Sequence, residues 1–241
     1  MKKKTGKRLR ILLVALVSLI VILAGGFYVY TLDYYRADAK AQEVFIASGE
    51  SVPGKGGMTV FRPKDGTPRT AGLVFYPGGK VEAKAYAPLL QSLASKGIAS
   101  VLIKMPFNLA VFGISAADRV YAAFPEITDW FLAGHSLGGA MASQYANNNE
   151  DRLSGLILLG AYPLNDAATP TLALYGTFDK GVDQEKLQGV SSLEIKGGNH
   201  AYFGDYGEQK GDGTATITRE EQQRQAVEAM TAFIEETIGK D

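Results

Sequence analysis

The chain has 241 residues, 46% hydrophobic and 21% charged, with 25 basic against 25 acidic side chains. That balance suits one large domain with a sizeable core and excludes a mainly disordered state. With no cysteine and two histidines, His135 and His200, the chain excludes disulfides, thiolate metal sites, a cysteine nucleophile and an H-E-x-x-H zinc helix.

The neutral total hides an asymmetry. Lys2, Lys3, Lys4, Lys7, Arg8 and Arg10 crowd the first ten residues with no acid among them. Setting those six aside leaves 19 basic against 25 acidic residues, a net charge of −6. An acidic body argues against a nucleic-acid partner, which needs a basic face.

Residues 11–30 follow the basic tail of residues 1–10 as a nearly unbroken apolar run, with Ser18 its only polar interruption before Gly25 and Gly26. As a helix it extends about 30 Å, enough to cross a bilayer. Tyr28, Tyr30, Tyr34 and Tyr35 gather near its far end, where amphipathic rings suit the interface. Basic residues before the run predict a single-pass anchor in the cell membrane, with the tail cytoplasmic and the body extracytoplasmic. A cleaved signal peptide is the rival reading, with Ala24 and Gly26 as small residues before a cut, but the run is longer than a usual signal core. The charge cluster argues against a buried core helix, and the lack of cysteine excludes a lipoprotein anchor.

Residues 31–57 read as a connector: a short helix over 33–47, then a loop rich in Gly, Ser and Pro. Gly49 to Lys55 has the spacing of a phosphate-binding loop. However, Gly56 stands where the magnesium-binding Ser or Thr belongs, and no apolar strand precedes it.

From Met58 to the end, residues 58–241 predict one catalytic domain of alternating strands and helices. Strands are expected at 58–61, 72–76, 98–104, 129–133, 156–160, 171–175 and 192–195. Helices are expected at 83–95, 115–124 and 138–148. A last helix opens at the capping box of Thr218 and Glu221 and carries Val227, Met230, Ile234 and Ile238 on one face. This alternation predicts an α/β fold, a mostly parallel sheet with helices on both faces.

Gly134-His135-Ser136-Leu137-Gly138 fits G-x-S-x-G. An apolar strand runs into it and small residues follow, the context of a tight strand-to-helix turn that exposes the serine hydroxyl. Ser136 is therefore the expected nucleophile, and it needs a base. His135 is adjacent on the turn and is expected to point away and line the wall, which leaves His200. With the order serine, acid, histidine, the available acids are Glu150, Asp151, Asp166, Asp179, Asp183, Glu185 and Glu194. Asp179 stands out just past the strand 171–175, with Asp183 in reserve and Asp166 or Glu150 after that. For the oxyanion, the backbone N–H of Leu137 and that of Gly79 are the expected donors, with Lys80 an alternative to Gly79.

These stretches resemble the α/β-hydrolase superfamily, and within it a compact bacterial group related in pattern to dienelactone hydrolases. Phe75 to Val81, Gly134 to Met141, Gly176 to Asp179 and Gly197 to Gly207 carry the resemblance, which spans about residues 58–238. Pro77 stands where many relatives carry histidine, and Ser136 where dienelactone hydrolases use cysteine, so their substrate does not carry over. The resemblance implies the α/β-hydrolase fold and a Ser-Asp-His hydrolase of esters or related acyl compounds. It implies a small-molecule acyl substrate, and the sequence calls for no cofactor or metal. An acyltransferase with the same triad and a non-catalytic binding protein on this scaffold are the alternatives.

Overall fold

A computed structural model describes residues 2–52, 56–64, 71–164 and 168–239. Two compact units divide the chain, 1–34 and 35–241. The first is one helix, α1 (Lys2–Leu32), whose stretch Lys7–Leu32 is long and apolar enough to cross a membrane. Its leucines, isoleucines and valines are exposed, the reverse of a core helix.

The second unit is built on an eight-stranded sheet. Its strands are β1 (Glu50–Ser51), β2 (Met58–Phe61), β3 (Ala71–Tyr76), β4 (Ala99–Ile103), β5 (Asp129–His135), β6 (Gly155–Leu159), β7 (Thr171–Gly176) and β8 (Ser191–Ile195). They lie in the order β1-β2-β4-β3-β5-β6-β7-β8. The β1–β2 and β2–β4 pairs are antiparallel and all the others are parallel.

The central strands are buried on both faces and so read as continuous apolar runs. Alternation still sorts them. Leu73, Phe75, Phe131, Ala133, Ile157 and Leu159 face one layer, while Val74, Trp130, Leu132, Leu156 and Leu158 face the other. The first layer is closed by helices α2 (Ala39–Ser48), α3 (Ala87–Ser95) and α6 (Arg219–Ile238), through Ala41, Leu89, Leu90, Leu93, Val227, Met230 and Ile234. The second is closed by α4 (Asp118–Tyr121) and α5 (Leu137–Ala146), through Val120, Ala142 and Tyr145.

The region expected as a connector differs. Its helix starts at Ala39 rather than 33, because the Asp38 side chain accepts from the Ala41 N–H and caps it there. Tyr35 is held in a parallel bridge to Val81. Glu50 and Ser51, read as loop, pair with Val60 and Thr59. Residues 53–55 of the phosphate-loop-like stretch lie outside the described residues. The helix expected over 83–95 opens with a 3-10 turn over Ala83–Tyr86 before α3. Only Asp118–Tyr121 of the expected 115–124 is α-helical, preceded by a 3-10 turn over Ile114–Ala117.

Candidate active site

β5 ends at His135 and α5 begins at Leu137, so one residue makes the whole turn. That residue, Ser136, has φ 52 and ψ −121, outside the regions open to most L-residues. Holding a non-glycine so stores about 1–3 kcal/mol of strain. The flanking glycines make the turn possible. A Cβ on Gly134 would come within 2.6 Å of the Gly139 nitrogen, and one on Gly138 would collide with the carbonyl oxygens of Tyr76 and Pro77. Larger residues would therefore push α5 off β5 and off the end of β3.

Asp179 and His200 come from the ends of β7 and β8. Backbone bonds clamp the two loops together: the Thr177 N–H donates to the Ile195 carbonyl at 3.1 Å and the Phe178 N–H to the Gly198 carbonyl at 2.8 Å. His200 Nδ1 then lies 2.9 Å from both carboxylate oxygens of Asp179. The Gly181 N–H donates to Asp179 Oδ1 at 2.8 Å. A carboxylate only accepts, so Nδ1 carries a proton, and in the neutral ring the lone pair is on Nε2. Gly160, just past β6, lies under this pair; a Cβ there would reach 2.8 Å from His200 Nδ1 and 2.9 Å from Asp179 Oδ2.

Ser136, Leu137 and His200 line one cavity of about 450 Å³, together with Tyr162, Lys180 and Lys210. Gly79 lies behind Leu137, and a Cβ on it would meet the Leu137 side chain at 2.8 Å. The Lys80 N–H, the alternative donor, is committed to the Asn108 carbonyl at 2.8 Å. Asp183 does not reach His200; its side chain accepts from the Glu185 N–H and caps a turn. Asp166 lies outside the described residues, and Glu150 accepts from the Ala168 N–H at 3.4 Å. Among the described residues no three His, Asp or Glu side chains gather to hold a metal ion.

His135 departs from expectation: it does not line the cavity wall but lies fully buried behind it. Its Nε2 is 3.0 Å from the His200 carbonyl oxygen and its Nδ1 is 2.8 Å from the Tyr86 hydroxyl, which also accepts from the Gly78 N–H at 3.0 Å. Only one proton order satisfies all three bonds. The Gly78 N–H donates to Tyr86, Tyr86 donates to Nδ1, and Nε2–H donates to His200. Burial, then the nearby His200 ring, holds the His135 pKa well below its ordinary value, so this ring is neutral.

Two supports escaped the sequence reading. The Asp212 carboxylate accepts from the His200, Ala201 and Gly213 N–H groups. Gln222 on α6 holds Asn199 from both sides, accepting its N–H at 2.9 Å and donating to its carbonyl at 2.7 Å. The pattern Gly211-Asp212-Gly213 was the only local signal for the first. The second joins residues far apart in sequence, and no motif marks it.

The family model of the alpha/beta hydrolase family matches residues 72–224, more than half of the chain. The chain belongs to the alpha/beta hydrolase family. No curated protein matches its sequence. Among solved structures it is similar to TT1662 from Thermus thermophilus, at 15% identity over 78% of this chain and 98% of that one, with a TM-score of 0.56. It is likewise similar to Est1E from Butyrivibrio proteoclasticus, at 16% identity, covering 80% and 99% of the two chains, TM-score 0.56. MenH from S. aureus follows at 14% identity, 76% and 99% coverage, TM-score 0.56. At such identities the likeness speaks for the fold.

Proposed function

We propose that this alpha/beta hydrolase is a membrane-anchored serine hydrolase of the carboxylesterase type, acting on an ester or related acyl substrate. The observation that carries the reading is the strained Ser136 sharing one cavity with a His200 whose Nδ1 is locked by Asp179. Nε2 takes the Ser136 proton as the hydroxyl oxygen attacks the acyl carbon, and Asp179 stabilises the imidazolium that forms. The carbonyl oxygen gains negative charge, which the Leu137 and Gly79 N–H groups receive. Collapse of this intermediate passes the proton from His200 to the leaving alcohol. The resulting acyl-enzyme on Ser136 is released by water through the same steps in reverse. Helix α1 supplies the single span, with the basic tail inside and the body outside.

A fluorophosphonate probe tests the chemistry on the full chain in membranes. Labelling of the parent and none of Ser136→Ala is expected; equal labelling of both would refute the assignment of the nucleophile. Protease added outside intact cells is expected to digest the body, and protection of the body until lysis would reverse the topology.

A further inference from the structure

A backbone N–H can stabilise an oxyanion only while its peptide plane keeps one direction. The N–H of Gly79, the donor proposed above beside that of Leu137, belongs to the same planar unit as the Gly78 carbonyl, and in a trans unit the two point opposite ways. Two glycines in succession make this unit easy to turn, because neither has a Cβ to restrict its φ and ψ. Larger residues do not fit. A Cβ on Gly78 would stand 2.8 Å from both the Tyr86 hydroxyl and His135 Nδ1, and one on Gly79 would stand 2.8 Å from the Leu137 side chain. The direction of the unit must therefore come from bonds made to it.

Two bonds hold Gly78. Its carbonyl accepts from the Val81 N–H at 3.2 Å, within a local turn. Its N–H donates at 3.0 Å to the hydroxyl of Tyr86, eight residues further on and fully buried. The Tyr86 ring packs on Phe75, with centroids 4.8 Å apart, and on Tyr206 at 6.5 Å. The backbone beneath it is fixed as well, since the Asp205 N–H donates to the Ala85 carbonyl at 2.7 Å. The hydroxyl is thus a rigid post rather than a swinging arm.

The post also reaches the base. The Tyr86 proton goes to His135 Nδ1, and the His135 Nε2–H goes to the His200 carbonyl. Gly78 and His200 are therefore the two ends of one buried chain of three hydrogen bonds. Tyr76 offers a matched comparison. Its buried hydroxyl accepts the Ala117 N–H at 2.9 Å and donates to the Ile114 carbonyl at 2.6 Å, but in the other layer of the sheet and away from the Gly78–Gly79 loop.

The geometry points to Tyr86 as a positioning residue for oxyanion stabilisation. Its hydroxyl holds Gly78 so that the Gly79 N–H keeps its aim at the carbonyl oxygen of a substrate attacked by Ser136, in register with the His200 loop. The inference rests on the serine chemistry proposed above. Tyr86 is not among the residues lining the cavity, so it acts through Gly78 and not on the substrate. The aim of the Gly79 N–H matters most when negative charge develops on that oxygen, so loss of the hydroxyl slows turnover more than it weakens binding.

The test compares the full chain in membranes with its Tyr86→Phe, Gly78→Ala and Tyr76→Phe variants. Each is assayed on 4-nitrophenyl acetate and on the thiono ester that carries sulfur in place of the carbonyl oxygen. Sulfur is a weak hydrogen-bond acceptor, so the thiono ester draws little on oxyanion donors. The ratio of kcat/KM for the two esters cancels the amount of folded enzyme. Removing a donor outright costs about 10² to 10³ in kcat, so displacing one through Tyr86→Phe is expected to cost roughly ten- to a hundredfold on the oxygen ester, with KM within about threefold. The oxygen-to-sulfur ratio is expected to fall about tenfold in Tyr86→Phe and also in Gly78→Ala, whose added methyl displaces the hydroxyl. Tyr76→Phe is expected to keep the ratio within about threefold. An unchanged ratio in Tyr86→Phe, with the parent still labelled by the fluorophosphonate at Ser136, overturns the inference and leaves the serine chemistry standing. An equal fall in Tyr76→Phe would make the effect a general loosening of the sheet and also overturns it. Failure of the parent to label at Ser136 refutes the serine chemistry, and this inference with it.

Discussion

His135 closes strand β5 and His200 sits in the loop after β8, yet their rings lie 4.6 Å apart. They differ in what surrounds each nitrogen. His200 lines the cavity and gives its Nδ1–H to a carboxylate. His135 is sealed from solvent, and both its nitrogens are engaged by neutral oxygen atoms, a tyrosine hydroxyl and a peptide carbonyl. A charge on His200 faces the Asp179 carboxylate, whereas a charge on the buried His135 meets only a tyrosine hydroxyl and a peptide carbonyl. The same side chain thus suits the base proposed above in one place and a strut in the other. As a strut, His135 ties the His200 backbone through Tyr86 to Gly78, beside the proposed oxyanion donor Gly79.

The sharpest test of that contrast is to remove each ring. His200→Ala is expected to lower kcat by about 10⁴ to 10⁶, while His135→Gln is expected to lose less than about 10² because it disturbs only support. Turnover of one soluble ester, with folded content checked by circular dichroism, decides the matter; the reverse ranking would exchange the two roles.

The carboxylates offer a second contrast. Asp179→Asn keeps the shape but can present an N–H to the imidazole, favouring the wrong tautomer, and kcat is expected to fall on the order of 10⁴ near neutral pH. Asp183→Asn alters only the cap of a turn and is expected to change kcat less than about tenfold. A collapse at Asp183 with normal turnover at Asp179 would contradict the hydrogen bonds to His200.

The smallest expected effect lies in stability. The folded pKa of His135 is depressed below its unfolded value of 6.5. The unfolded chain therefore binds a proton below that pH while the folded chain does not. The stability His135 contributes is present above pH 6.5 and is lost as pH falls toward the folded pKa, by up to about 1.4 kcal/mol per pH unit. Unfolding midpoints measured between pH 7 and pH 5 are expected to drop for the parent and to be flatter for His135→Gln. Parallel curves would show that burial does not suppress its charge.

By itself the sequence determined the apolar helix, the alternating α/β fold and the serine turn. Each is written in neighbouring residues: an unbroken apolar run, a periodicity, and a strand that meets Gly134 and Gly138 around Ser136. It also offered His200 as the candidate base by elimination, because only two histidines exist, and Asp179 as the candidate acid by its place past a strand end. Tertiary structure alone decided what depends on residues far apart in sequence. Residues 35–51 look like a linker, since the bond of Tyr35 to Lys80 and the pairing of Glu50 with Val60 leave no local pattern. His135 looked like cavity wall until Tyr86 and the His200 carbonyl were seen to take both its nitrogens. Asp212 has only its flanking glycines to mark it in the sequence, while in the fold its carboxylate holds the His200 backbone. The physical reason is common to all three: a hydrogen bond requires two groups within about 3 Å, and their separation along the chain does not constrain it.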